Sequence, residues 1–271
     1  MTKLYRKIAT AAMAAALFAG AGQSADAGQI LYGVTGASNT ASSLYTIDTT
    51  TGLATLVGAT GFNHVVSIDF DPVSGTLYGI ANSGNALITI DTATGAGTAV
   101  ATLSPSFQAP DMSFDSAGTL YTWSEASPDR LNTVNLTTGA TTEIGPSGLS
   151  TAATGLDIDS TDTIYLKNFD GSVYTIDAVT GAATFHVLLD TGDLDNALAF
   201  DENDVLYSLS RIAGDLLYTV DLTTGTTAVV GAFGVEKMAA LAFRSVPEPA
   251  ALAAFALGLA GLGALRRRRT R

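Results

Sequence analysis

Cysteine is absent from the 271 residues. No disulfide can form, and stability has to come from packing, alone or with bound ions. Histidine occurs only as His64 and His186, and neither lies in a metal spacing such as HExxH or beside a nucleophile elbow such as GxSxG. Basic residues are scarce. Between Gly28 and Pro249 five Lys and Arg face 24 Asp and Glu, a formal charge of −19. Such a surface repels nucleic acid and anionic membrane, and favours cations, basic partners or neutral surfaces. Long apolar runs are confined to the two ends of the chain, and these read as addressing segments rather than parts of a core.

At the N-terminus Lys3, Arg6 and Lys7 precede an Ala-rich apolar stretch, Ile8 to Gly20, and Ala25-Asp26-Ala27 fits the small-x-small rule of signal peptidase. Thirteen residues fall short of the roughly 20 that a membrane span needs. Residues 1–27 are therefore expected to be a signal peptide, with export across the inner membrane and cleavage after Ala27.

At the C-terminus Ala250 to Leu265 is an apolar run of 16 residues, a short transmembrane helix of roughly 24 Å. Arg266, Arg267, Arg268 and Arg269 follow it as a cytoplasmic stop. Pro247 and Pro249 fix their own backbone angles and bias the residues before them toward extended structure, which predicts an exposed tether ahead of the helix.

The order Val246-Pro247-Glu248-Pro249, apolar helix, arginine cluster resembles the PEP-CTERM sorting signal of Gram-negative bacteria. The resemblance covers only residues 246–271. It implies recognition by an exosortase, a membrane cysteine transpeptidase, with Pro247, Glu248 and Pro249 as the motif that this second enzyme reads. It also implies transient membrane anchoring, then residence in the cell envelope or outside the cell, in the setting of exopolysaccharide and biofilm matrix.

The intervening residues 28–245 are a repeat. "LYTIDTTTG", "LITIDTATG", "LNTVNLTTG", "VYTIDAVTG" and "LYTVDLTTG" place Asp48, Asp91, Asn135, Asp177 and Asp221 at spacings of 43, 44, 42 and 44. A second series, "SIDFD", "DMSFD", "GLDID", "ALAFD" and "ALAFR", ends at Asp71, Asp115, Asp159, Asp201 and Arg244. A third lies between them: "TLYGI", "TLYTW", "TIYLK", "VLYSL", with "ILYGV" ahead of all. Each alternates with period two, as strands do. Asp or Asn opens each Asp-Thr-Gly turn, where it can bond N–H groups two residues on, and Gly closes it with a left-handed backbone.

Four short strands per period of about 43 residues predict a β-propeller blade. The repeat opens on a second strand, "ILYGV", and ends on a first strand, "ALAFR". The C-terminal strand should therefore complete the N-terminal blade and close a ring of five. A β-helix or open solenoid is the rival architecture. The blades are similar to PQQ-type and YVTN-type propeller repeats, but lack the tryptophans of quinoprotein blades, so no quinone cofactor is carried over.

First and third strands of a blade run the same way, so the turns after them share one face of the disc. Asp71, Asp157, Asp159, Asp162, Asp201 and Asp204 cluster toward that face, and calcium, which takes several oxygen ligands, is the one cofactor they suggest. Turn chemistry alone is the competing explanation for them. The opposite face carries the irregular loops, with Trp123, Phe107, Phe169, Arg130, Lys167 and Arg211 as candidate ligand-binding residues; aromatics beside Arg suit sugar stacking or an acidic polymer. Trp123 could equally fill a gap between blades.

The expectation is a non-enzymatic, exported envelope or matrix protein that binds or scaffolds exopolysaccharide or surface partners, with no catalytic residues. A propeller hydrolase of esterase or lactonase type would instead require His64 to meet Asp and Ser at the channel mouth. A ligand-free spacer would show a flat loop face with its aromatics buried.

Overall fold

A computed structural model describes residues 29–36, 40–81, 85–105, 111–125, 128–152, 154–191, 197–211 and 214–244. The expected signal peptide, the Pro-Glu-Pro motif, the apolar tail and the arginine cluster lie outside the described residues. Among those described, no helix is long and apolar enough to cross a membrane.

Gln29–Arg244 is one compact unit of twenty strands in five four-stranded antiparallel sheets. Blade 1 holds β1 (Ile30–Thr35), β2 (Ala41–Ile47) and β3 (Ala54–Asn63). Blade 2 holds β4 (Val65–Phe70), β5 (Leu77–Ala81), β6 (Ala86–Ile90) and β7 (Gly97–Thr102). Blade 3 holds β8 (Asp111–Phe114), β9 (Leu120–Ser124), β10 (Arg130–Val134) and β11 (Thr141–Pro146). Blade 4 holds β12 (Gly155–Ile158), β13 (Ile164–Lys167), β14 (Ser172–Ile176) and β15 (Ala183–Leu188). Blade 5 holds β16 (Leu198–Phe200), β17 (Leu206–Ser210), β18 (Leu216–Val220) and β19 (Thr227–Ala232).

The last strand, β20 (Met238–Arg244), pairs antiparallel with β1, with Leu31 opposite Phe243 and Gly33 opposite Leu241. It is the inner strand of blade 1, so the ring closes as the repeat phase requires. β20, β4, β8, β12 and β16 are the innermost strands and touch one another in that cyclic order. Closure covers the inner edges, which an open solenoid would leave bare.

Strand alternation sends every second side chain into the seam between neighbouring blades, and a buried apolar cluster fills each seam. Leu44 and Val34 meet Ile68 between blades 1 and 2, and Ile80 meets Met112 between 2 and 3. Leu131 meets Leu156, Val173 meets Leu198, and Leu217 meets Leu31 at the remaining three. On top of this burial, the tyrosine of one blade's second strand packs on the phenylalanine of the next blade's first strand. Tyr32–Phe70, Tyr78–Phe114, Tyr165–Phe200 and Tyr207–Phe243 have ring centroids 5.5, 5.5, 5.3 and 5.1 Å apart in tilted geometry. Such aromatic pairs contribute about 1 kcal/mol each beyond their area. At the fifth seam Ile158 stands where the others have phenylalanine, and Tyr121 packs into its cluster.

The Asp-Thr-Gly turns hold the rim. Asp91 Oδ1 accepts from Ala93 N at 2.9 Å and Thr94 N at 2.8 Å, and Gly95 N donates to the Asp91 carbonyl at 2.7 Å. The turn glycine has a second duty that alternation does not show. Gly95, at φ +79°, lies so close to the outer strand of blade 1 that a Cβ would stand 2.6 Å from the Gly58 carbonyl oxygen. Each outer strand carries a β-bulge at the matching register, between Leu44/Tyr45, Leu87/Ile88, Leu131/Asn132, Val173/Tyr174 and Leu217/Tyr218 of its partner. The bulge bends the strand, and the next blade's turn packs against its backbone here.

Candidate functional site

The inner strands bring together three carboxylates from different blades. Asp69 on β4, Asp111 on β8 and Asp157 on β12 each reach across a seam into the backbone of the next blade. Asp69 Oδ2 accepts from Phe114 N at 2.8 Å, Asp111 Oδ2 from Leu156 N at 2.7 Å, and Asp157 Oδ2 from Phe200 N at 2.5 Å. Two serines link them laterally. Ser113 Oγ lies 3.1 Å from Asp69 Oδ2 and donates to Asp157 Oδ1 at 2.7 Å, while the Ser67 hydroxyl donates to Asp111 Oδ1.

Removal from water pushes these carboxyls up. Asp69 rises to about 8, with the neighbouring Asp157 charge adding to the effect of burial. Asp157 rises to about 6 and Asp111 well above the carboxylate range, burial again being the largest cause. Backbone N–H donors work against these shifts, because they favour the charged form. The cluster is thus a set of inter-blade latches whose carboxyls titrate above the usual carboxylate range, with Asp69 still protonated at neutral pH. The equivalent positions in blades 5 and 1 are Ala197, Ala199, Ala240 and Ala242, all buried. Asp69 and Asp111 were not singled out from sequence. The signal was a polar residue at an inward position of "SIDFD" and "DMSFD", which reads equally well as a solvated strand face.

The six carboxylates expected to gather for calcium are divided by the structure. Asp157 belongs to the axis. Asp71, Asp159 and Asp201 are turn caps, accepting from Val73 N, Thr161 N and Asn203 N at 2.9 Å each. Asp162 and Asp204 join neighbouring blades: Ser116 N donates to Asp162 at 2.7 Å, and Ser160 N to Asp204 at 2.9 Å. Among the described residues no three acidic or imidazole side chains converge closely enough to hold a metal ion.

The loop-face candidates also separate. Trp123 is fully buried in β9, in the seam between blades 3 and 4 with Leu131, Leu156 and Leu166, and its Nε1 donates to Thr151 Oγ1 at 3.1 Å. Its register is that of Ile80 and Leu209, both core positions, so the ring fills the seam and presents no stacking surface. Lys167 stands at the same register in β13 and is fully buried too. Arg130 pairs with Glu143. Phe169 is 45% exposed, Arg211 is half-buried, and Phe107 lies outside the described residues.

His64 sits in the crossover from blade 1 to blade 2, half-buried and left-handed at φ 52°. Burial, and after it the charge of Arg211 from blade 5, push its imidazole below the usual range. Arg211 also acts on Asp215, whose carboxyl burial raises, Arg211 lowers and Glu236 raises. Arg211 thus acts on both His64 and Asp215, which lie in separate parts of the chain. His186, on outer strand β15, stacks edge-on against Tyr165 with centroids 5.5 Å apart.

Residues 245–269 match the PEP-CTERM protein-sorting motif, and residues 24–156 match a repeat of unknown function, DUF6923. The chain thus carries a PEP-CTERM signal, which implies export, membrane-anchored sorting and processing by exosortase in Gram-negative bacteria. No curated protein sequence matches it significantly. Among solved structures it is similar to a chain of the nidogen/laminin complex, at 11% identity and TM-score 0.58 over 80% of this chain and 98% of that one. A Bacteroides thetaiotaomicron protein of unknown function is 15% identical with TM-score 0.53, covering 82% and 68% of the two chains. TolB from Acinetobacter baumannii is 14% identical with TM-score 0.50; the matched part covers 74% of this chain and 52% of TolB. At these identities the likeness concerns the fold alone.

Proposed function

We propose that this chain is a non-enzymatic protein of the cell envelope or extracellular matrix, delivered by exosortase, whose propeller binds or scaffolds exopolysaccharide. The observation that carries this reading is the pairing of a sorting motif at 245–269 with a closed five-bladed disc. A closed disc is a rigid platform, and its irregular loops, facing away from the repeated turns, form the variable surface on which binding resides.

Two experiments test the two halves of this proposal. Replacing Glu248 with Ala and following the protein by fractionation should retain it in the inner membrane; unchanged release overturns the sorting role. Co-sedimentation of the purified full chain with the host's own extracted exopolysaccharide, with calcium and with a chelator, should show retention. Dependence on calcium would add the cation sites, and absence of retention in both conditions overturns the glycan role.

A further inference from the structure

The ring is entered and left at one place. Ile30, at the start of β1, pairs with Arg244, the last residue of β20, so the first and last strands open side by side on the same face. Arg244 itself identifies that face. Its Nη1 donates to Thr92 Oγ1 at 3.2 Å, in the Asp91 turn of blade 2, and its guanidinium carbon lies 6.0 Å from the centroid of the Phe70 ring. Resting on the membrane-anchored sorting described above, we propose that the face carrying the Asp-Thr-Gly turns is the surface this protein directs at the inner membrane while it is anchored, so that the loop face looks away from the bilayer.

Arg244 stands where Asp71, Asp115, Asp159 and Asp201 stand at the ends of the other four first-strand segments. Each of those aspartates is followed by a turn into the second strand of its own blade and accepts a backbone N–H of that turn. Blade 1 has no such turn, because its second strand, β1, comes from the other end of the ring. A capping carboxylate would have no donor to meet there. A cation occupies the place instead and reaches into the neighbouring blade, so the exit is pinned to the turn face from two sides, by β1 and by blade 2.

The exit also lies near the axis, since β20 is one of the five innermost strands. Five residues, 245–249, separate Arg244 from the apolar run that begins at Ala250. Fully extended, five residues reach about 18 Å. Passing from an inner strand to the outer strand of a blade takes three steps of about 4.8 Å, roughly 14 Å in all. Presenting the loop face would add the length of the seven-residue strand β20, roughly 23 Å more. The tether is long enough for the turn face, nearly used up by a disc on its edge, and too short for the loop face. The exposed carboxylates of Asp48, Asp91, Asp177 and Asp221 crown the same face, and an anionic bilayer repels them. The turn face therefore meets the membrane across water, and the loops stay clear.

The test uses the absence of cysteine. The full chain, with one introduced cysteine carrying a donor fluorophore, is reconstituted into vesicles of phosphatidylethanolamine and phosphatidylglycerol whose headgroups carry an acceptor. Val179→Cys places the donor on the turn face of blade 4, where Val179 is 84% exposed, and Phe169→Cys places it on the loop face of the same blade, where Phe169 is 45% exposed. The two positions flank the five-residue strand β14 and stand roughly 17 Å apart along it, so energy transfer should be about twofold greater at position 179. Val73→Cys, in the turn after β4, and Ser150→Cys, in the loop before β12, repeat the comparison at a second pair of exposed positions. Inserting 20 glycine and serine residues after Ser245, a span of about 25 Å, should abolish the difference while leaving the chain on the vesicles.

Equal transfer from the two faces at the native tether length, or stronger transfer from the loop face, overturns the proposal. A difference undiminished by the insertion overturns it too, since direct contact with lipid, not the tether, would then hold the disc. If the chain floats with the vesicles in a density gradient and the faces transfer alike, the anchored sorting stands and the orientation alone falls. If the chain does not float with them, both fall.

Discussion

Blades 2 to 4 and blades 5 and 1 use the same inner-strand positions with opposite chemistry. In the first group Asp69, Asp111 and Asp157 cross the seams to backbone N–H groups; in the second the equivalent places hold four buried alanines. The rim shows no such division, since all five outer strands bulge at one register. The ring therefore tolerates two solutions at its axis, small apolar side chains or carboxyls whose donors come from the next blade. At its circumference only one is used, because backbone meets backbone there.

The largest effect that would break this comparison is expected from Asp111→Ala. It strands the Leu156 N–H and the Ser67 hydroxyl in a dry seam and should cost about 3 kcal/mol in denaturant unfolding. A cost near zero would mean that the latched half is no more dependent on its polar contacts than the alanine half.

At the rim the halves should respond alike. Gly95→Ala in blade 2 and Gly52→Ala in blade 1 each force a Cβ into the neighbouring blade's backbone at a left-handed position, and each should cost about 2–3 kcal/mol. Gly75→Ala, at φ +69° with no atom within 4 Å of its Cβ, should cost only about 1 kcal/mol. Equal costs at Gly75 and Gly95 would show that the turn angle, not the contact, selects glycine.

The pH dependence should distinguish the axis from the turns. Folded Asp69 keeps its proton up to about pH 8, whereas in the unfolded chain it ionises near 3.9. The folded state binds the extra proton in that window, so this group's contribution is full below about pH 4 and is lost as pH rises toward 8. Turn carboxylates such as Asp91, held low by the Thr94 backbone N–H, act in reverse and lose their contribution as pH falls below the usual carboxylate range. Melting temperature should therefore peak in mildly acidic solution and drop by roughly 5 °C or more by pH 8.5. Asp69→Asn should flatten the alkaline side; an unchanged profile would place the titration elsewhere. The smallest effect should come from Phe169→Ala on the exposed loop, within about 0.5 kcal/mol.

Period-two alternation, the spacing of 42 to 44 residues and the phase at which the repeat starts and stops were enough to derive five blades and the β20–β1 closure. These are local patterns, and a closed ring is the one arrangement that pairs a leftover first strand with a leftover second. The turn aspartates were legible for the same reason, since their partners lie two or three residues away.

Residue type misled where register decided. Trp123 read equally well as a surface binder or as a filler between blades, and Lys167 as a binder, yet both occupy the core register of Ile80 and Leu209 and are buried. What only the tertiary structure decided is which residues meet across seams. The Asp69–Phe114, Asp111–Leu156 and Asp157–Phe200 latches span 43 to 45 residues. A period specifies that blades repeat. Distance between side chains of different blades is set by twist, bulge and closure, which no single repeat contains.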